Sequence, residues 1–388
     1  MRNYKLKSIA FVFDGLGFGG IERIGVDYIR MCIDMGYRVD VFNLNPSANE
    51  FAIYLPEGVS YFAYRMSRKG CPETYSYGVQ KWWWGKYAYV IISPVLTLIQ
   101  FIRRMTFQRK KYDVTIAISG HINDLSFVAK DFIKSAKKIC WCHGNLISYL
   151  AICDAYAVLY KRIDTIVTLS SAGEKDVYPG KKYLYEKTIR KIYNPTFVKD
   201  RTIDDKKVDM LKSKYGDYIL MTARFEFRKG HDTAIKSVKK LKERGLEKKI
   251  LFAGDGDLIG EMKQLAANER IEENCVFLGN CHDIQNYIAA SYINLLSSRW
   301  EGLPTVIIEA MTLGKPCVMT NTDDGEVSHN GQFCKLEEID DVEGITDSLY
   351  ELYTNRGIYE KYVELSLKRA EDFQPERIKK EIVSLIEG

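Results

Sequence analysis

Two carboxylates, Glu301 and Glu309, frame the stretch Arg299-Trp300-Glu301-Gly302-Leu303-Pro304-Thr305-Val306-Ile307-Ile308-Glu309. Ser297-Ser298 close an apolar run that reads as a strand, and Gly302 and Pro304 make a turn. Pro304 suits the start of a helix, where its missing N–H costs nothing. Glu309 then lies one i,i+4 step beyond Thr305, in the first turns, while Glu301 stays in the loop. The free N–H groups near Gly302, Leu303 and Thr305 would face the carboxyl end of a sheet, a place that stabilises bound phosphate or sugar. Carboxylates beside such a site suit sugar and ribose hydroxyls. The same spacing also suits two solvated acids favoured by the helix dipole.

A second group is Arg224-Phe-Glu-Phe-Arg228-Lys229-Gly230. Arg224 follows an expected strand, Tyr218–Thr222, and Lys229 lies in the loop toward the next helix. Charge-assisted hydrogen bonds to a diphosphate are worth roughly 1.5–3 kcal/mol each, with Arg gripping two oxygens and Lys acting as a point charge. Ordinary surface cations are the competing reading.

Other candidates are weaker. Gly15-Leu-Gly17-Phe-Gly19-Gly20 is a glycine turn after the first strand but does not spell GxGxxG. His143-Gly144 follows the expected strand Lys138–Cys142, where a histidine is as easily structural. Asp323-Asp324 and Gly254-Asp255-Gly256-Asp257 read as turns, and no nucleophilic triad or metal-ligand spacing is present.

These residues must be held by strands. Ser8–Phe13, Arg38–Leu44, Val114–Ile118, Lys138–Cys142 and Thr165–Leu169 are short apolar runs of the buried parallel type, with a helix expected from about Ile21 to Met35. The alternation restarts with Tyr218–Thr222, Ile250–Phe252, Val276–Leu278, Ile293–Leu296 and Cys317–Thr320. Two βα series in 388 residues imply two doubly wound domains, joined near Asn194-Pro195 and the polar stretch Lys199–Asp209.

Charge divides unevenly. Residues 1–200 hold 29 Lys+Arg against 17 Asp+Glu, a balance of +12, and residues 201–388 hold 27 against 34, a balance of −7. The first half therefore faces something anionic, a membrane surface or a nucleic acid. Trp82–Trp84 precede sixteen uncharged residues, Tyr87–Ile102, and then Arg103, Arg104, Arg109, Lys110 and Lys111. That run is short of the ~20 residues needed to span a bilayer. It fits a helix lying in the membrane interface with a basic flank, or else an apolar helix packed on the first sheet. The nine cysteines show no framework spacing and read as free thiols. The first residues lack the pattern of a signal peptide, so a cytoplasmic location is expected.

Taken together the chain resembles the retaining glycosyltransferases of family 4. The resemblance rests on Gly19-Gly20-Ile-Glu-Arg, His143-Gly144, Thr168-Leu-Ser170-Ser171, Ile192-Tyr-Asn194-Pro195, Ala223-Arg224 through Lys229-Gly230, Ala253-Gly-Asp-Gly256 and Phe277-Leu-Gly279. The Glu301–Glu309 pair and Gly314-Lys-Pro316 complete it. It implies the GT-B fold, α/β with two Rossmann-like domains facing a cleft. An acceptor domain would occupy residues 1–198, a nucleotide-sugar donor domain 199–368, and a helix in 369–388 would return to the first domain.

By that resemblance Arg224 and Lys229 hold the donor diphosphate, and Glu309 the ribose. Glu301 contacts the sugar, with Gly279, Gly302, Leu303, Pro304 and Thr305 lining the donor site. His143 stabilises developing charge, and Gly19 and Gly20 approach the phosphate or acceptor. The segment Asp323-Asp-Gly325-Glu326 is shorter than the family's usual one, which leaves Gly325 and Glu326 without assigned roles.

The expected reaction is retaining transfer from a nucleoside diphosphate sugar, on family frequency a UDP-sugar, to a glycan or lipid-linked acceptor. No cofactor or metal is called for, because Arg224 and Lys229 supply counter-charge. The expected partners are the donor, the acceptor and an anionic membrane surface at residues 82–111, without nucleic acid. The expected location is the inner face of the cell membrane. A UDP-sugar epimerase of related fold and a non-catalytic anionic-polymer-binding protein are the alternatives.

Overall fold

A computed structural model describes residues 7–17, 19–67, 94–95, 98–99, 101–102, 105, 110–120, 123–143, 158–171, 187–198, 202–322 and 325–388. The chain forms two compact units, Met1–Tyr193 with Lys379–Gly388, and Asn194–Ile378.

In the first unit β1 (Ser8–Phe13), β2 (Arg38–Asn43), β3 (Ser60–Ala63), β4 (Lys111–Ala117), β5 (Lys134–Cys142), β6 (Thr165–Thr168) and β7 (Thr188–Lys191) form one sheet. Its order is β3-β2-β1-β4-β5-β6-β7, with every pairing parallel. The central β1 is buried throughout, as a strand covered on both faces must be. Helix α1 (Gly20–Asp34) follows it and buries Ile24, Tyr28, Met31 and Cys32 at helical spacing. Helix α2 (Asn123–Ala129) follows β4.

The second unit holds β8 (Ile219–Thr222), β9 (Ile250–Ala253), β10 (Cys275–Gly279), β11 (Ile293–Leu296), β12 (Cys317–Thr320) and β13 (Lys335–Glu337). They are ordered β10-β9-β8-β11-β12-β13 and again parallel. Its helices are α3 (Asp205–Tyr215), α4 (His231–Glu243), α5 (Ile259–Asn268), α6 (Ile284–Ala290), α7 (Thr305–Thr312), α8 (Val342–Thr354) and α9 (Arg356–Ala370). Met221, Phe225, Ile235, Phe252, Leu295, Val318 and Leu349 belong to one buried core. In both sheets the winding direction reverses once, between β1 and β4 and between β8 and β11. In open α/β sheets that reversal opens a crevice at the carboxyl ends of the strands.

The last helix, α10 (Pro375–Glu387), ends in the first unit. Ile382, Leu385 and Ile386 are buried. Lys137 Nζ donates to Leu385 O (2.7 Å) and Lys7 Nζ to Ile386 O (2.9 Å). Two ammonium groups thus satisfy carbonyls that a helix end leaves open, and their charge complements its dipole. Burial and the nearby Arg190 and Lys7 lower the Lys137 pKa.

Residues 94–95, 98–99, 101–102 and 105 are helical, and Val95, Leu98, Ile99, Phe101, Ile102 and Met105 are exposed. A helix packed into the first core would bury such side chains, so the core-packed alternative does not describe them. Trp82–Trp84, Arg103, Arg104 and Arg109 lie outside the described residues. Of the basic residues expected to follow the apolar run, Lys110 and Lys111 are described, and Lys111 is exposed. Lys111 opens β4, and Lys110 Nζ stands 3.1 Å from the centroid of the Phe62 ring. No helix among the described residues is long and apolar enough to cross a membrane. Among the described cysteines, Cys140 and Cys142 bring their Sγ atoms to 3.8 Å on one face of β5.

Candidate active site

The crevice between β8 and β11 brings the two strongest sequence groups together. The loop after β8 carries Arg224 to Gly230, and the loop after β11 carries Ser297 to Pro304. A 3₁₀ turn, Phe227–Lys229, presents Lys229, whose Nζ donates to Glu301 Oε1 at 2.5 Å. Ser298 Oγ donates to the same oxygen at 2.6 Å. Both charged side chains are nearly buried, 14% and 10% exposed. Desolvation makes such a pair costly unless its remaining hydrogen-bond capacity is used, and the Ser298 hydroxyl supplies part of that. An ammonium held at a sheet's carboxyl edge is placed to meet an anion.

The two loops fit closely. Ser297 Oγ donates to Gly230 O (2.7 Å), and Arg299 N to Arg228 O (2.7 Å). Gly230 has φ +64°, and a Cβ there would stand 1.9 Å from Ser297 O. Only glycine fits that approach. His231 opens α4, stacked on Phe225 with ring centroids 4.1 Å apart. Burial, then the Lys229 charge, lowers its pKa to about 4. Its Nε2 has no hydrogen-bond partner.

The other expected donor residues lie in the loops and helix that follow β8 and β11 and at the end of β10. Arg224 points outward, its side chain 67% exposed, and meets Glu226 at 3.0 Å. Glu226 also accepts from Arg228 Nε (2.7 Å), which with the Arg224 and Lys229 charges lowers its pKa. Gly302 leads the turn, Leu303 is buried, and Pro304 precedes the helix instead of occupying its first position. The Pro304 carbonyl accepts from Ile307 N (3.0 Å), and Thr305 is the first helical residue. Glu309 lies in the second turn of α7 and is 5% exposed. Gly279 ends β10 at φ +68° with its Cβ direction open, and its carbonyl accepts from Gly254 N (2.8 Å).

Gly19, Gly20 and His143 fall in the first unit, and Gly325 and Glu326 in the second. Gly19 immediately precedes α1 and Gly20 begins it, with open space where a Gly20 Cβ would stand. His143 directly follows β5. Gly325 has φ +71°, and Glu326 O accepts from Arg369 Nη2 (2.5 Å), so this stretch is tied to α9. Asp323, Asp324, Phe18 and Gly144 lie outside the described residues.

Sequence reasoning missed Ser298, Arg299, Asp232 and His231. Ser298 carried a positional signal at the end of a strand. Arg299 and Asp232 carried none, because their meaning is their contact: Arg299 Nη2 reaches both Asp232 carboxylate oxygens, at 2.8 and 2.9 Å. A cavity of 210 Å³ bounded by Phe227, His231, Leu258 and Met262 borders this region but is lined by neither Lys229 nor Glu301.

The sequence profile of the glycosyl transferases group 1 family matches residues 202–369. The chain carries a group 1 glycosyltransferase domain. It is 25% identical over 390 residues to an uncharacterized glycosyltransferase of Haemophilus influenzae, covering 96% of this chain and 98% of that one. A 102-residue stretch, 26% of each chain, is 29% identical to the UDP-Gal:alpha-D-GlcNAc-diphosphoundecaprenol alpha-1,3-galactosyltransferase of Escherichia coli. Among solved structures, HepE of Anabaena in complex with UDP and glucose superposes with a TM-score of 0.73 at 17% identity, covering 98% of this chain and 99% of that one. The fold of this glycosyltransferase is GT-B, two parallel α/β sheets with flanking helices.

Proposed function

We propose that this glycosyltransferase moves a sugar, with retained anomeric configuration and without a metal ion, from a UDP-sugar to a glycan or lipid-linked acceptor in polysaccharide or glycoconjugate synthesis. The observation that carries the reading is the Lys229–Glu301 pair at the switch point of the second sheet, with Glu309 on the following helix. Lys229 and Arg224 meet the donor diphosphate and stabilise the charge that grows as the glycosidic bond breaks. Glu309 accepts from ribose hydroxyls, and Glu301 from the sugar. Glu301 Oε1 already takes two donors, from Lys229 and Ser298. That engagement makes it a poor nucleophile and favours a same-face displacement in which the leaving phosphate helps take the acceptor proton. By the family resemblance His143 would stabilise developing charge, and Gly19 and Gly20 would approach the phosphate or acceptor.

Uridine is supported by the UDP bound to HepE and the UDP-Gal in the name of the Escherichia coli relative, and a lipid-linked acceptor by the same name. The exposed apolar side chains between Val95 and Met105 support contact with the inner membrane surface. Incubation with UDP-sugars and lipid-linked glycan acceptors tests the reaction. UDP release with a lengthened glycan is expected, while an epimerised donor with no transfer would replace this reading with the epimerase alternative.

A further inference from the structure

We infer that Arg299 is a positioning residue, a strut that presets the Lys229 ammonium for the donor diphosphate; the inference rests on the donor-site reading above. Lys229 lies in a short 3₁₀ turn, which by itself holds a long cation poorly. Arg299, from the opposite side of the switch point, grips both flanks of that turn. Its Nη1 donates to Phe227 O at 2.6 Å, and its Nη2 to both oxygens of Asp232. The guanidinium also stacks 4.3 Å from the centroid of the Phe227 ring.

Its Nε donates to Asp340 Oδ2 at 3.1 Å. Asp340 holds a left-handed φ of +62° and also accepts from Thr233 Oγ1 (2.9 Å) on α4. The fork geometry of Arg permits all these bonds at once, which a lysine cannot match. Two residues further on, Glu301 receives Lys229 Nζ. One loop therefore fixes both the backbone that carries the cation and the carboxylate that receives it. The Arg299 side chain is 14% exposed, so its part is to hold the loop and not to offer a free charge to the ligand.

UDP affinity by titration calorimetry and amide exchange of residues 226–231 in the free protein test this on Arg299→Met, Arg299→Lys and Lys229→Met. Arg299→Met is expected to weaken UDP binding at least tenfold and to speed exchange of that turn at least tenfold. In the Lys229→Met background the same change adds less than twofold. Arg299→Lys, which keeps the charge but loses the fork, stays at least threefold weaker than the parent.

Full restoration by lysine, an additive loss in the double variant, or faster exchange with unchanged UDP affinity would each overturn the strut. Asp232→Asn keeps one acceptor oxygen and serves as the milder second variant should Arg299→Met fold poorly; it must weaken UDP binding in the same non-additive way. A parent protein that binds neither UDP nor GDP sinks the donor-site reading instead, and the exchange measurement then decides the strut by itself.

Discussion

At the residue scale the second unit separates charges by environment. Glu309 is buried on α7, Glu301 is engaged by Lys229 and Ser298, and Arg224 stands in solvent. Glu309→Ala and Lys229→Ala are each expected to lower turnover at least tenfold, a loss of about 1.4 kcal/mol or more of transition-state stabilisation, with the fold retained by circular dichroism. Near-parental rates in both would remove the donor-site assignment. His231 gives a pH signature. Its folded pKa, about 4, lies below the ordinary value of 6.5. Between these values the unfolded chain binds more protons, so the contribution is complete above pH 6.5 and lost as pH falls toward 4. The loss is on the order of 3 kcal/mol at most. Urea midpoints at pH 7 and pH 4.5 should differ less in His231→Phe, which keeps the ring stack on Phe225, than in the parent.

At the element scale the candidate site depends on two loops leaving adjacent strands at the place where the second sheet's winding reverses. Their contact is backbone against backbone at Gly230 and Ser297. Gly230→Ala is expected to force the loops apart, because a left-handed φ costs roughly 1 kcal/mol for a residue with a Cβ and the carbonyl stands in its path. UDP binding should fall more than tenfold, and the melting temperature by several degrees, in a protein whose helix and strand content is unchanged. An alanine variant with parental UDP affinity would show that the close approach is not needed. The edges of the sheets tell the opposite story. Strands β3, β7 and β13 are half-buried or exposed, and their sequences, Ser-Tyr-Phe-Ala, Thr-Ile-Arg-Lys and Lys-Leu-Glu, carry no apolar run longer than three residues. An edge strand packs on one side only, so neither composition nor period announced these three.

At the scale of the whole molecule the two units have separate sheets, and the chain returns to the first through α10. The proposed contact with an anionic lipid surface draws on the excess positive charge of the first half and on the exposed apolar side chains of helical residues 95, 98–99, 101–102 and 105. Flotation with anionic vesicles is expected to carry the parent protein. Phe101→Gln with Ile102→Gln should reduce that binding severalfold while leaving UDP affinity unchanged. Equal flotation of parent and variant would assign the apolar face another role.

The sequence by itself determined the two βα series, because a parallel strand buried on both faces must be written as an unbroken apolar run. Ser8–Phe13, Ile293–Leu296 and Cys317–Thr320 are legible on that ground, as is Ile250–Phe252, which the structure extends to Ala253. It also marked Glu301, Arg224 and Lys229, whose residue types stand in loops that follow such runs, and Glu309 on the helix after one of them. Only the tertiary structure decided which of these groups meet. Lys229 and Glu301 are 72 positions apart, and Arg299 and Asp232 are 67 apart. Those contacts arise because β8 and β11 pair directly across the reversal of the sheet. Local periodicity carries no record of which strands become neighbours, so the strut at Arg299 becomes visible only when the two loops are brought together.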